Sequence, residues 1–199
     1  INSTNWRYSY QSLWENAGRP TSAANPLPGG GNNKPAPCAV GTCVYQVSGA
    51  DLTISGVWNN LTGKTIIFAD QNVTIETEIS GGFLAVIAKG NIVIDKSVKK
   101  SGIPLAAVDM DGADAQLSGA FWADGDFTVD DDPADDTDQL IIYGSVAGGM
   151  DLSGNVIFNR NLEANNDKPP VAVIWNPFLV LNAPDELKDS YTEWKEVAP

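Results

Sequence analysis

The sequence lacks histidine entirely and contains only two cysteines in 199 residues. Without histidine, Ser-His-Asp triads and histidine-containing zinc and haem sites are excluded, and the side chain most used for proton transfer near neutral pH is missing. Basic residues are also scarce, since 12 Lys and Arg face 25 Asp and Glu, which gives a net charge of −13. Because binding to nucleic acid or anionic lipid requires clustered Lys and Arg, we expect neither as a partner.

Long hydrophobic runs are missing as well, because no apolar segment approaches the ~20 residues that a membrane-spanning helix requires. We therefore expect no membrane insertion. No basic and hydrophobic leader precedes Ile1, so we expect a soluble domain whose export signal was removed or lies outside this numbering. The 19 Gly and 12 Pro, with many Asn, Asp, Thr and Val, favour short strands joined by tight turns, and the expected class is all-β.

An aromatic N-terminal arm covers residues 1–17. We expect it to be buried, because exposed aromatic side chains on a free tail promote aggregation. Its period fits two structures: alternation in the first half favours a strand, and the later spacing favours a short helix. We interpret the arm as an assembly segment that either docks on a neighbouring subunit or covers the N-terminal end of its own domain. The candidate assembly residues are Trp6, Tyr8, Tyr10, Leu13 and Trp14.

Residues 18–43 form a Pro- and Gly-rich linker followed by a CxxxxC loop. The prolines and the glycine run at 29–31 oppose both helix formation and ladder pairing. Cys38 and Cys43 lie close in sequence with a glycine between them, so we predict a local disulfide formed in an oxidising compartment. The alternative is two buried free thiols, because a CxxxxC pattern without further ligands is not a zinc site.

A weak internal repeat extends over residues 44–154. Copies of the pattern small-x-x-Asn/Asp-apolar-x-apolar follow apolar strands at residues 48–54, 69–75, 88–94 and 123–129, with a degenerate fifth copy at 147–152. Apart from one larger gap, successive copies lie about 20 residues apart, a period close to that of a β-solenoid coil. The repeat predicts a short β-solenoid, and the alternative is a series of hairpins that form an antiparallel β-sandwich.

The C-terminal residues 155–199 lose this repeat. We expect them to form an irregular cap that covers the ladder and core of the last coil. Within the cap, VAVIW at 171–175 is typical of an edge strand, and residues 182–187 carry signals for the start of a helix.

Several segments resemble a known module. They are FLAVIAKGNIVIDKSV, LSGAFWADGDFTVDDD, LIIYGSVAGGMDLSGNVIFNRNL and the ending LNAPDELKDSYTEWKEVAP. Over residues 65–199 the chain resembles a C-terminal β-solenoid module of surface proteins from candidate-phylum (Patescibacteria-type) bacteria. The resemblance implies a location at the bacterial surface and supplies no catalytic residues. The arm, the linker and the CxxxxC loop fall outside it.

An acidic stretch separates Lys100 from Arg160, with twelve aspartates and no basic residue between them. Their mutual repulsion must be relieved by water, by separation or by a divalent cation. Asp109, Asp111 and Asp114 surround a glycine turn as oxygen ligands for calcium would, although the bidentate Glu of an EF-hand is absent. The alternative is a solvated acidic turn, so we expect no required cofactor, and calcium is the candidate cation.

Carboxylate pairs elsewhere in the stretch match the requirement for general acid–base catalysis, namely Asp124 with Asp126 or Asp130 with Asp131. The basic neighbours that usually accompany such pairs are missing. Aspartates in a Pro-containing loop also do not hold the fixed separation that a glycosidase needs. We therefore expect no enzyme.

The combined expectation is a non-catalytic extracellular or cell-surface structural protein, a self-assembling filament or cell-envelope building block whose partners are copies of itself. The alternative is a carbohydrate-binding or carbohydrate-cleaving β-helix that acts on surface polysaccharide. An ice- or mineral-binding face would need flat ranks of Thr or Asp. Thr53, Thr74 and Thr128 occupy the outward middle position of the repeat, but they are too sparse to support that interpretation.

Overall fold

The computed structural model describes residues 9–21, 27, 34–35, 41–99, 115–131, 139–151, 154–160 and 169–187. None of the helices in these ranges is long and apolar enough to cross a membrane. In chain order the elements are α1 (Tyr10–Asn16), β1 (Thr42–Val47), β2 (Leu52–Ile54), β3 (Trp58–Ala69), β4 (Val73–Ile75), β5 (Ile79–Ala88), β6 (Ile92–Ile94), β7 (Leu117–Ala123), β8 (Phe127–Val129), β9 (Leu140–Ala147), β10 (Val156–Phe158), β11 (Val171–Trp175), α2 (Pro177–Leu181) and a 3-10 helix (Asp185–Leu187).

The strands form two sheets, and consecutive strands alternate between them. The large sheet has six strands in the order β1-β3-β5-β7-β9-β11, and the small sheet has five in the order β10-β8-β6-β4-β2. Every strand pair among the described residues is parallel. The expected all-β class is thereby confirmed. The alternative of an antiparallel β-sandwich is wrong, because strands joined by hairpins would pair in antiparallel orientation.

The main hydrophobic core lies between the two sheets. Each three-residue strand of the small sheet points its first and third side chains inward, as the two-residue period of a strand requires. The parallel register stacks these inward residues into two ranks, Leu52, Val73, Ile92 and Phe127, and Ile54, Ile75, Ile94 and Val129. All are at most 5% exposed, and they form one cluster with Ile67, Val86 and Phe121 of the large sheet. Since burying one such side chain is worth about 1.5–3 kcal/mol, these ranks contribute much of the stability.

A ladder of Asn and Asp side chains holds the corner before each strand of the small sheet. The N–H of Asn72 donates to Asp51 Oδ1 at 3.1 Å, and the N–H of Asn91 donates to Asn72 Oδ1 at 3.0 Å. In the same way, the N–H of Asp126 donates to Asn91 Oδ1 and the N–H of Asn155 donates to Asp126 Oδ1, each at 2.8 Å. The ladder keeps one register although successive members lie 21, 19, 35 and 29 positions apart.

The ladder corrects the predicted position of the fifth repeat. The sequence pattern placed this copy at residues 147–152, whereas the structure places Asn155 in the ladder and Val156–Phe158 in β10. Gly148 and Gly149 lie so close to the backbone of Asn155 and Gly154 that an added Cβ would collide with it. These glycines therefore belong to the corner that precedes the strand, and the strand begins later than the pattern indicated.

Both sheets continue beyond residue 154, where the repeat was predicted to end. β10 pairs with β8 and β11 pairs with β9, so Val156–Phe158 and Val171–Trp175 belong to the two sheets and not to an irregular cap. Pro169 and Pro170 are compatible with this arrangement because both precede the first residue of β11, a position that tolerates proline. β11 is the outermost strand of the large sheet, which confirms the edge strand predicted for VAVIW.

Short helices near both ends of the described chain cover the outer face of the large sheet. Tyr10 and Leu13 of α1, Leu179 of α2 and Leu187 of the 3-10 helix join a second hydrophobic cluster on this face. Its members from the sheet are Ile66, Phe68, Phe83, Ala85, Ile87 and Ala120. The arm is thus helical over Tyr10–Asn16. Of the two structures that its sequence period allowed, the short helix is confirmed for these residues.

The described parts of the linker lie on the body of the protein. Pro20 and Pro35 are buried, and Leu27 packs against the main core. The Lys34 ammonium group donates to the Asn59 carbonyl oxygen at 2.8 Å. These contacts show that the described parts of the linker pack against the domain.

Candidate functional site

The N-terminal arm is attached to the large sheet by the first residue of α1. Ser9 caps the helix, because its Oγ accepts from the Ser12 N–H at 3.3 Å. The Tyr10 N–H donates to Asp124 Oδ1 at 2.8 Å. Asp124 directly follows β7, so its carboxylate satisfies one of the backbone N–H groups that have no partner within a helix at its first turn.

The carboxylate of Asp124 is a perturbed ionisable group. Only 6% of the residue is exposed, and burial raises the pKa of Asp124 above its ordinary value of 3.8. The Tyr10 N–H and the charge of Lys89 lower this pKa, whereas the charge of Asp151 raises it further. Because burial is the largest contribution, folding makes ionisation of this carboxyl group less favourable than it is in the unfolded chain.

The aromatic ring of Tyr10 anchors the arm. It packs edge-on against Phe68, with ring centroids 5.7 Å apart and planes at 86°. The Gln46 side-chain amide donates to the Tyr10 hydroxyl oxygen at 3.5 Å, and burial is the main cause that raises the pKa of Tyr10 above 10.0. Leu13, one turn later, is 1% exposed. The anchor therefore combines aromatic packing with buried aliphatic contact.

The three described assembly residues, Tyr10, Leu13 and Trp14, are accordingly placed on the broad face of their own large sheet, and not over the N-terminal end of the domain. Tyr10 and Leu13 are buried there, and Trp14 Nε1 donates to the Pro20 carbonyl oxygen at 3.0 Å. Trp6 and Tyr8 lie outside the described residues. Exchange of the arm between subunits remains a prediction.

The candidate catalytic carboxylates have separate surroundings. Asp124 faces α1, whereas Asp126 Oδ1 accepts the Asn155 N–H as part of the ladder. The Asp130 carbonyl oxygen accepts from Arg160 Nε at 3.4 Å, while Arg160 Nη1 donates to the Val98 carbonyl oxygen at 2.9 Å. The contacts of Asp124 and Asp126 hold structural elements together.

Arg160 is a residue whose role the sequence interpretation missed. It is 5% exposed and joins segments 62 positions apart through its bond to Val98. The available signal was its position, because it is the first basic residue after the long acidic stretch that follows Lys100. A buried guanidinium group with several backbone acceptors can hold such segments in register.

The predicted calcium ligands Asp109, Asp111 and Asp114 lie outside the described residues. Within the described ranges, no group of three or more His, Cys, Asp or Glu side chains is placed to hold a metal ion. Cys43 is the second residue of β1 and is not a free thiol. Its predicted partner Cys38 also lies outside the described residues, so their pairing stays a prediction.

The outer face of the small sheet carries one rank of side chains, all of which are β-branched. Its members are Thr53, Thr74, Val93, Thr128 and Ile157. The three threonines are therefore aligned, as the repeat predicted, but Val93 interrupts them. One such rank is too narrow and too mixed to form the flat array that an ice- or mineral-binding face would need.

A C-terminal face is formed by four exposed apolar residues on the last strand of each sheet, Val156, Phe158, Val173 and Trp175. Val156 and Phe158 are 42% and 44% exposed, although they stand in register with Phe127 and Val129, which are 0% exposed. Val173 is 40% exposed and pairs with the buried Ile142, and Trp175 is 59% exposed. Val156, Phe158 and Val173 thus occupy positions that are buried on the neighbouring strand, yet they are exposed.

Two hollows open beside the large sheet. One of about 290 Å³ lies next to α2, and its lining includes Lys64, Phe83 and Leu179. The other, of about 520 Å³, lies between the end of α1 and β1, with Arg19 in its lining. Neither lining includes an Asp or Glu among the described residues, so neither hollow brings carboxylates together for acid–base chemistry.

Comparison with known proteins assigns no role to any of these residues. No protein-family model, curated protein or solved structure matches this chain. The candidate functional site is therefore defined by geometry. We take the C-terminal face as this site, because it exposes apolar side chains at positions that are buried on the neighbouring strands.

Proposed function

We propose that this chain is a short β-solenoid in which each coil contributes one strand to each sheet. Two observations support this fold: consecutive strands alternate between two parallel sheets, and the Asn/Asp ladder keeps one register across all five strands of the small sheet. In such a fold each coil contacts only its neighbours, so the two terminal coils are the surfaces that need cover.

The function that we propose is that of a non-catalytic structural building block, located outside the cell or at the bacterial surface, that associates with copies of itself. The observation that carries this proposal is the C-terminal face, where core positions of the last coil are exposed. Exposed apolar side chains on terminal strands promote pairing with another chain unless charges or a cover prevent it. The face is therefore suited to burial against a partner.

The roles of the described carboxylates agree with a structural function. Asp124 supports the first turn of α1, and Asp51 and Asp126 accept backbone N–H groups in the ladder. A side-chain oxygen held in this way contributes to the fold as a hydrogen-bond acceptor. This arrangement favours the building block over the carbohydrate-cleaving alternative.

Light scattering on the purified protein over a wide range of concentrations tests the proposed association, with electron microscopy of the same samples. We expect a mass above 21.1 kDa that rises with concentration. Phe158→Glu should reduce it to the mass of one chain, because a carboxylate placed in the C-terminal face would have to be buried on association. Val57→Glu is the matched control, since Val57 is 57% exposed and lies outside the face.

A wild-type mass that stays at one chain at every concentration would contradict the proposal. So would an assembly that Phe158→Glu and Val57→Glu weaken equally, because the C-terminal face would then have no special part in it. Circular dichroism of both variants confirms that the comparison is between folded proteins.

A further inference from the structure

We propose that the C-terminal face binds the C-terminal face of a second copy, so that two chains form a closed dimer with two-fold symmetry. This inference rests on the proposed self-association, and it adds the partner surface, the symmetry and the limit on size. It departs from the filament expected from the sequence, because a filament requires two different complementary ends.

At the opposite end of the domain, the core positions of the small sheet are covered. Leu52 and Ile54 of β2, the outermost strand of the small sheet at that end, are 5% and 0% exposed. They hold the same inward positions as Val156 and Phe158 at the other end. Leu27 of the linker packs against the same core cluster as Leu52 and Ile54. β1, the outermost strand of the large sheet at that end, is half-buried throughout. Contact between two C-terminal faces covers the exposed core positions of both copies, whereas head-to-tail contact would have to displace the cover of β2.

The strand that ends the small sheet at the C-terminal face is flanked by uncharged residues. The residue that follows β10 is Asn159. The residue that precedes β10 is Asn155, which is likewise uncharged. No residue of β10 or β11 is charged. In a chain of net charge −13, two copies meet with the least repulsion where carboxylates are absent.

The strand geometry is compatible with two-fold pairing. A two-fold axis perpendicular to both sheets places β10 beside β10 of the second copy and β11 beside its counterpart, each pair in antiparallel orientation. Every contact of such an isologous interface occurs twice. Trp175, the most exposed member of the face, supplies a large aromatic anchor from each chain.

Symmetric cross-linking provides the test. A single cysteine introduced as Val173→Cys lies in the middle of β11, where a two-fold axis brings the two copies of this residue near each other. We expect a short bis-maleimide to convert this variant to a covalent dimer, whereas Val57→Cys and the wild-type protein remain mostly uncross-linked. The mass of the wild-type protein should reach a plateau at twice 21.1 kDa, and Phe158→Glu should halve it.

The other outcomes separate this inference from the proposed function. Growth beyond two chains, without cross-linking through Val173→Cys, would overturn the two-fold dimer and leave self-association standing. A single-chain mass at every concentration would overturn both. If removal of residues 188–199 converted a monomer to a dimer, the C-terminal segment would be the natural cover of the face, and this inference would be wrong.

Discussion

The backbone N–H of Tyr10 donates to Asp124 Oδ1 at 2.8 Å, although the two residues lie 114 positions apart in sequence. The bond ties the first turn of α1 to the corner that follows β7. Because Asp124 is buried in this contact, its ionisation is linked to the stability of the fold. The contact also fixes the arm on the outer face of the large sheet.

Asp124→Asn should reveal this linkage as a dependence on pH. The folded pKa of Asp124 is raised above 3.8, so its contribution to stability is complete below 3.8 and is lost as the pH rises through the folded pKa. The free energy of unfolding of the wild type relative to Asp124→Asn should therefore increase as the pH falls. Urea titrations from neutral pH to below 3.8 measure it, with Glu15→Gln as a control for the loss of one carboxylate. A difference that decreases toward acid pH would contradict the assignment.

Leu13→Ala tests the packing of the arm. Leu13 is 1% exposed on the outer face of the large sheet, so truncation should lower the free energy of unfolding by about 2–5 kcal/mol. Gln11→Ala is the matched control, because Gln11 lies on the exposed side of the same helix. Equal effects of the two substitutions in urea unfolding would show that α1 does not pack as described.

The Asn/Asp ladder predicts that the same substitution has different costs at two positions. Asn91→Ala removes the acceptor of the Asp126 N–H, so it should lower the free energy of unfolding by about 0.5–1.5 kcal/mol. Asn155→Ala should cost less in the monomer, because Asn155 is the last member of the ladder and its side chain accepts from no further repeat among the described residues. Denaturant unfolding at low protein concentration compares the two. A larger cost for Asn155→Ala would contradict the order of the ladder.

Much of the repeat could be predicted from sequence because its determinants are local. The pattern identified Asp51, Asn72, Asn91 and Asp126 as equivalent, and the structure joins all four in the ladder. It missed Asn155 because the preceding glycines lengthen the corner. Glycine in a sequence indicates a turn, but it does not indicate how many residues the turn contains.

The candidate site could not be predicted in the same way. The bond between Tyr10 and Asp124 and the bond between Arg160 and Val98 join residues 114 and 62 positions apart, and no short pattern encodes such contacts. The exposure of Phe158 was also hidden, because its sequence context is that of the buried Val129 one repeat earlier. Whether a core position is covered depends on which strand is the last in its sheet.

The disulfide between Cys38 and Cys43 stays a prediction with a simple test. If the two thiols are bonded, alkylation of the unfolded protein without reductant should add no alkyl group, and alkylation after reduction should add one per cysteine. Mass spectrometry of the intact protein distinguishes these cases. Uptake by both cysteines before reduction would contradict the disulfide and favour the alternative of free thiols.

Amide hydrogen exchange at low and high protein concentration tests the role of the C-terminal face most directly. If copies associate through this face, exchange in β10 and β11 should slow as concentration rises, because the interface protects their backbone N–H groups, while exchange in β6 stays constant. Exchange in β10 and β11 that is equally fast at both concentrations, in samples whose mass has increased, would show that the copies associate elsewhere and would contradict association through the C-terminal face.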